Sequence, residues 1–369
     1  MPIHESLISP TANPQLERGL RERLARHAAI AGGFGQLEAL ALRLGLMQDS
    51  LTPRFRDPVL TLFAGDHGLA VDGLPQPWGR PSHEQALLAL QSRLPCAVIA
   101  RLHGLQLQVV DCGLAQELAP HPKLLLRKVA HGTRNARVGL AMQPHQVQAA
   151  LRVGMELADA LSGNVLALAG LGQGSAESAL LLLARIDARH LGEMLPFDAA
   201  PQLLELLQLT LNRHREALDP MDALAAFGGF EIAVMVGAML VGASKRKLLL
   251  VDGLPACAAL RVAAAIAAPV TDYAVFCRSS NDPGLDVALQ GFKAGTLLEL
   301  GLSTSDGMGA ALAWPLLRSA AALLSDVHEG SVAPLSAPEP APALTDPRDT
   351  VITERLDEAS DTTLPQRDM

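Results

Sequence analysis

Four turns in this 369-residue sequence place reactive side chains beside backbone that can approach a ligand closely. Asp306-Gly307-Met308-Gly309 precedes an apolar run with helical spacing over 310–324. Glycines at a helix start leave N–H groups facing an anion, and a carboxylate among them is a candidate general base. Asp306 is that candidate, with Gly307 beside it on the anion; capping the helix is the other job an aspartate does there. The second turn is Gly170-Leu171-Gly172-Gln173-Gly174-Ser175. Alternating glycines let the chain wrap a phosphate, so Gly172, Gly174 and the Ser175 hydroxyl are expected to bind the phosphate of a nucleotide. The spacing is GxGxG, not GxGxxG, and no acid closes a second strand about 20 positions on, which argues against a nicotinamide dehydrogenase. In the third turn, Asp66-His67-Gly68, Asp66 and His67 either polarise a nitrogen of a bound base or satisfy a tight turn. The stretch from Gly73 to Gln85 follows it, and Trp78 with Gln85 offers stacking and one amide hydrogen bond to a planar ring. In the fourth, Arg278 and Ser279 offer a cation and a hydroxyl to phosphate or carboxylate. Gly228-Gly229-Phe230-Glu231 marks a close helix-packing turn with an acid in the first helical turn.

The elements that must hold these turns alternate. Short apolar runs at 59–64, 105–110, 165–169 and 248–251 each end in Gly or Asp and are followed by Ala/Leu-rich helical stretches, with a further strand at 273–276. That is the pattern of an α/β fold, a parallel Rossmann-like sheet with helices on both faces, in which ligands sit beyond the carboxyl ends of the strands. Residues 10–47 and 310–326 are expected to be helices without strands of their own, which suits a small helical lobe built from both chain ends. The expected division is 1–50 for the N-terminal helices of that lobe, 51–308 for the large nucleotide-binding domain and 309–330 for the helix completing the lobe. Residues 331–369 form a Pro-rich acidic tail whose composition cannot bury enough apolar area to order.

Composition narrows the partners. The net charge is -8, and eight carboxylates against three arginines in 331–369 put most of it in the tail, so nucleic acid is not an expected partner. No basic start followed by an apolar stretch, and no uninterrupted apolar run of about 18 residues, marks a signal peptide or a membrane span, so a cytoplasmic location is expected. Cys96, Cys112, Cys257 and Cys277 lie far apart without a CxxC pair and are expected to be core-filling thiols, with no metal site and no cofactor.

Taken in order, several of these segments resemble the nicotinate-nucleotide:dimethylbenzimidazole phosphoribosyltransferase family. The matching blocks are Phe63 to Gly68, Val109 to Gly113, Gly132 to Asn135, Gly228 to Ala233, Val251 to Gly253, Arg278-Ser279 with Pro283-Gly284, and Leu297 to Leu302 with Gly307 to Leu312. The resemblance spans roughly 15–325. It implies a homodimer that uses nicotinate mononucleotide and an aromatic base acceptor, with no metal, and makes α-ribazole phosphate for the cobalamin lower ligand. Asp306 stands where the family has its glutamate base and is one methylene shorter, about 1.5 Å. Gly170 replaces the carboxylate of the family's glycine-rich loop, and Glu177 adds one near the following helix start. Pro75 to Pro81 replaces the family's base-binding stretch, and 201–211 contains no lysine or arginine. These departures motivate a second reading, a weak or inactive relative that binds a base or nucleotide as a sensor or partner subunit.

Overall fold

Six short apolar segments form one parallel sheet because each is buried on both faces, where an unbroken Val/Leu/Ala run suits a strand better than an alternating one. They are β1 (Val59–Gly65), β2 (Gln106–Gly113), β3 (Leu124–Leu126), β4 (Val165–Leu171), β5 (Leu248–Asp252) and β6 (Ala274–Phe276). The computed structural model describes residues 7–74, 79–278, 282–303 and 307–327. Every residue of β1 and β5 is buried. The sheet order is β3-β2-β1-β4-β5-β6, with all pairings parallel.

Two helices, α1 (Pro14–Ala31) and α2 (Gln36–Gln48), precede the sheet. Between β1 and β2 lie α3 (Ser82–Leu90) and α4 (Pro95–Leu102), and between β3 and β4 lies α5 (Pro144–Ala160). The long connection from β4 to β5 holds α6 (Ser175–Ile186), α7 (Leu191–Met194), α8 (Pro201–Arg213), α9 (Pro220–Phe227) and α10 (Phe230–Ser244). Then come α11 (Leu254–Ile266) before β6, and α12 (Pro283–Phe292) and α13 (Met308–Ser325) after it. Glycine capping at Gly174 and Gly229 starts α6 and α10 directly beyond tight turns.

Strand parity assigns the faces. Leu60 and Leu62 of β1 point at the start of α13, where a Cβ on Gly307 would lie 3.0 Å from a Leu62 methyl. Gly65, of opposite parity, faces α10, where its Cβ would lie 2.6 Å from Glu231 Oε2. Helices α3, α4 and α13 therefore cover one face, and α5, α10 and α11 the other. The two chain ends meet on the first side: α1 and α2 pack on α13, His27 Nδ1 lies 2.9 Å from Leu323 O, and Arg54 Nη2 donates to Ser325 O at 3.1 Å. All four cysteines are buried and none is in a disulfide, as the spacing suggests.

Two differences from the sequence reading have simple causes. Strand β3 is only three residues long and is bonded to β2 alone, too short to stand out from its loop. Helix α13 is long and apolar enough by length and composition to cross a membrane, whereas the sequence reading found no uninterrupted apolar run of that length; Pro315 and Arg318 lie within it. Its Trp314 and Leu317 are buried in the core against the first helices and the sheet.

Helices α5 and α10 approach through a reciprocal pair of glycines. A Cβ on Gly154 would lie 1.9 Å from Val234 O, and one on Gly237 would lie 2.0 Å from Leu151 O. In an exposed helix, Gly→Ala stabilises by about 1 kcal/mol. Here Gly237→Ala is expected to destabilise instead, by about 1–3 kcal/mol of overpacking, read as a lower midpoint in urea; a raised midpoint would refute this close helix contact.

Candidate active site

The chain runs from β1 outward to β2 and β3 on one side, then returns to β4 and runs outward to β5 and β6 on the other. Loops leaving β1 and β4 therefore diverge and open a crevice beyond their carboxyl ends, the usual ligand position in such sheets. The Asp66-His67 turn and the Gly170–Ser175 turn both fall there. They are joined by the His67 amide, which donates to Gln173 O at 3.1 Å. Gly172 has a backbone reason to be glycine, because a Cβ would lie 1.7 Å from Gly65 O. Gly174 has φ 84° and faces the His67 Cβ, which an added Cβ would approach to 2.8 Å.

One buried carboxylate gathers this side of the crevice. Glu231, in the first turn of α10, is 0% exposed, and its Oε1 lies 2.7 Å from His67 Nε2. The same oxygen accepts a hydrogen bond from Ser175 Oγ at 2.8 Å. Burial on its own depresses the His67 imidazole. The charge and hydrogen bond of Glu231, with smaller contributions from Asp66 and Glu177, outweigh it and raise the His67 pKa above the ordinary histidine value. Ser175, expected to donate to phosphate, thus turns its hydroxyl proton inward to Glu231. Sequence reasoning marked Glu231 only as an acid at a helix start and missed its role, since its partners lie 164 and 56 positions away; the Gly228-Gly229 pair before it was the available signal.

The wall toward α3 hangs from Asp66 and Ser82. Ser82 Oγ donates to Asp66 Oδ1 and accepts from the Gln173 amide at 2.8 Å, while Ala115 N donates to Asp66 Oδ2 at 2.8 Å. Gln173 Nε2 reaches Leu74 O at 3.0 Å. The structure therefore makes Asp66 a hub that ties β1, the loop after β2 and the glycine turn together. Gln85 is buried and its Nε2 donates to Arg80 O at 3.0 Å, which shapes the wall from within. Trp78 lies outside the described residues.

A second cluster sits on the opposite face, at the start of α13. Asp252, the last residue of β5, is buried; its Oδ2 accepts from Ala310 N at 2.9 Å and its Oδ1 from Arg278 Nε at 2.8 Å. Arg278 Nη1 also donates to Leu302 O at 3.0 Å. Arg278, expected on an anion, is 5% exposed and pins Asp252 and the 302 segment to each other. Capping of α13 comes from Asp252, 58 positions upstream, a role the sequence reading offered to Asp306 as its alternative job. Gly307 opens α13 with φ 93°. Asp306 and Ser279 lie outside the described residues.

Electrostatics at the crevice are acidic. Burial raises the Glu177 carboxyl in the first turn of α6, with Asp282 adding and His67 opposing. Burial likewise raises Asp282, which caps α12, against the pull of its own N–H bonds and of Arg278. Asp111, at the end of β2, is also raised by burial, opposed by the Leu114 amide and by Lys128, whose Nζ lies 3.3 Å away. Among the described residues no group of three or more His, Cys, Asp and Glu is placed to hold a metal ion.

The family model described as phosphoribosyltransferase matches residues 9–334. A nicotinate-nucleotide–dimethylbenzimidazole phosphoribosyltransferase of Variovorax paradoxus is 38% identical over 335 residues, covering 89% of this chain and 96% of that protein. One of the same name from Cupriavidus taiwanensis is 39% identical, covering 89% and 98%. Among solved structures, CobT from Thermus thermophilus superposes with a TM-score of 0.77 at 29% identity, over 84% of this chain and 96% of that one. With the sheet, the crevice and these full-length likenesses in agreement, the chain belongs to the nicotinate-nucleotide–dimethylbenzimidazole phosphoribosyltransferase family.

Proposed function

We propose that this enzyme transfers 5-phosphoribose from nicotinate mononucleotide to an aromatic base of the benzimidazole type, making α-ribazole phosphate for the cobalamin lower ligand. The observation that carries this reading is the glycine turn at the switch point between β1 and β4, drawn onto the buried Glu231 through Ser175, the first residue of α6. Relatives of that named activity, alike along nearly their whole length, support the choice of substrates.

The chemistry needs little from the protein beyond placement and one base. A carboxylate takes the N–H proton of the benzimidazole, the nitrogen forms a bond to C1 of the ribose, and the C1–N bond to the pyridinium breaks. Its electrons stay with the departing nicotinate, and the ribose carbon passes through an oxocarbenium-like state. Holding both flat rings in line with C1 supplies much of the acceleration. Asp306 is the proposed base; it precedes Gly307, which opens α13, and Asp252 holds the first turn of that helix. Gly172, Gly174 and Gly307 lend backbone to the phosphoribosyl group, and Ser279 is the proposed hydroxyl donor to it. Asp66 and Gln85 shape the acceptor side through the contacts described above, while His67, expected there too, turns its ring to Glu231 behind the glycine turn. The acceptor is a benzimidazole-type base, and the stretch from Gly73 to Gln85 is the segment proposed to select it. A homodimer and a cytoplasmic location belong to the same proposal.

Incubation with nicotinate mononucleotide and a panel of benzimidazoles is expected to release nicotinate only when an acceptor base is present. Asp306→Ala is expected to lower that release by about 10²–10⁴-fold, the usual contribution of a general base, and a wild-type rate in this variant would remove Asp306 from the mechanism. Sedimentation is expected to give twice the 38.8 kDa chain mass; a single-chain mass at assay concentration would refute the dimer.

A further inference from the structure

A buried ion pair is seldom worth its desolvation for stability alone, since apolar side chains of similar volume serve as well. The pair between His67 and Glu231 therefore calls for a second reason. Its geometry supplies one: a single oxygen, Glu231 Oε1, is bonded to the turn after β1 through His67 and to the first residue of α6 through Ser175. The other oxygen, Oε2, is buried with no hydrogen-bond partner among the described residues, and it is hemmed in by backbone. A Cβ on Gly65 would lie 2.6 Å from it, and one on Gly229 would lie 2.3 Å away. The carboxylate therefore occupies the space that side chains at positions 65 and 229 would need. Ser175 is thus held at one height and one angle, and with it the start of α6.

The amides of Gly174 and Ala176, on either side of Ser175, donate to no group among the described residues. Such amides at a helix start are the groups that receive an anion. The acceptor wall hangs from a different set of contacts, Asp66 with Ser82 and Gln85 with Arg80. Resting on the phosphoribosyltransferase reading of this crevice, we infer that His67, Glu231 and Ser175 are positioning residues for the donor mononucleotide. They touch no substrate; they set the cradle for its phosphate and leave the acceptor's affinity alone. The imidazole faces Glu231 from α10, Glu177 from α6 and Asp66 from its own turn, and these carboxylates outweigh burial and raise it above the ordinary histidine value. The sign follows: the pair is complete below the raised value and is lost as pH climbs through it.

The test is steady-state kinetics with both substrates, together with calorimetric binding of nicotinate mononucleotide alone, on Ser175→Ala, Glu231→Gln and His67→Asn. Circular dichroism identifies the folded variants, and Ser175→Ala, which strands no charge, is the one expected to remain folded. Donor KM and donor Kd are expected to rise about tenfold, the loss of one hydrogen bond to a charged group, with kcat and acceptor KM within about threefold. In wild type, donor KM is expected to climb as pH rises through the His67 titration, and in His67→Asn that climb is expected to be absent. A folded Ser175→Ala that binds mononucleotide like wild type, or one in which both substrates weaken equally, overturns the inference. Absence of nicotinate release from a wild type that still binds the mononucleotide counts against the proposed reaction instead, and the binding comparison among variants then decides the positioning role by itself.

Discussion

Everything at the crevice depends on one carboxylate that has no access to water. An ionised Glu231 at zero exposure would be costly to bury unless its charge were met, since the effective penalty for such a group is several kcal/mol. His67 meets the charge and Ser175 adds a second bond, so the cost is offset by tying the turn after β1 and the start of α6 to the first turn of α10. The sheet contributes by bringing its own backbone close. Gly65 and Gly172 touch where side chains would keep β1 and β4 apart, and Gly113 of β2 comes against Phe230 beside Glu231. The glycines at these places answer to strand approach first and to the ligand second.

The other face is organised by an acid of the same kind doing a different job. Asp252 ends β5, accepts the Ala310 amide of α13 and holds Arg278. Favourable interaction between a carboxylate and a helix N-terminus amounts to about 0.3–1 kcal/mol in exposed settings, more when partly buried. The larger effect here is geometric: a strand of the sheet fixes the first turn of the last helix. The two edges of the crevice are set independently, one by Glu231 through α6 and α10, the other by Asp252 through α13.

Much of this architecture is legible in the sequence because strands buried on both faces leave short unbroken apolar runs, and the turns that follow them collect Gly and Asp. The sheet, the helices on its faces and the location of the crevice follow from that alone. The pairs are harder. Arg278 looks like an anion ligand until Asp252, 26 positions earlier, is seen to face it across the β5 and β6 ends. Ser175 looks like a phosphate donor until Glu231 is found behind it. Asp66 and His67 are adjacent in sequence, yet the turn after β1 sends their side chains apart, one to Ser82 of α3 and the other to Glu231 of α10. Periodicity shows which face of an element is apolar; it does not show which polar residue from a distant element arrives there.

The glycines packed around Glu231 also constrain how such an enzyme diverges. Positions 65, 172 and 229 admit no side chain without backbone collision or displacement of Glu231 and His67, so mutation there is closed to selection for new substrates. Change is freer where no such glycine packing closes the backbone. A floor that cannot drift beneath a rim that can is a route by which one catalytic scaffold samples many acceptors while keeping a single donor.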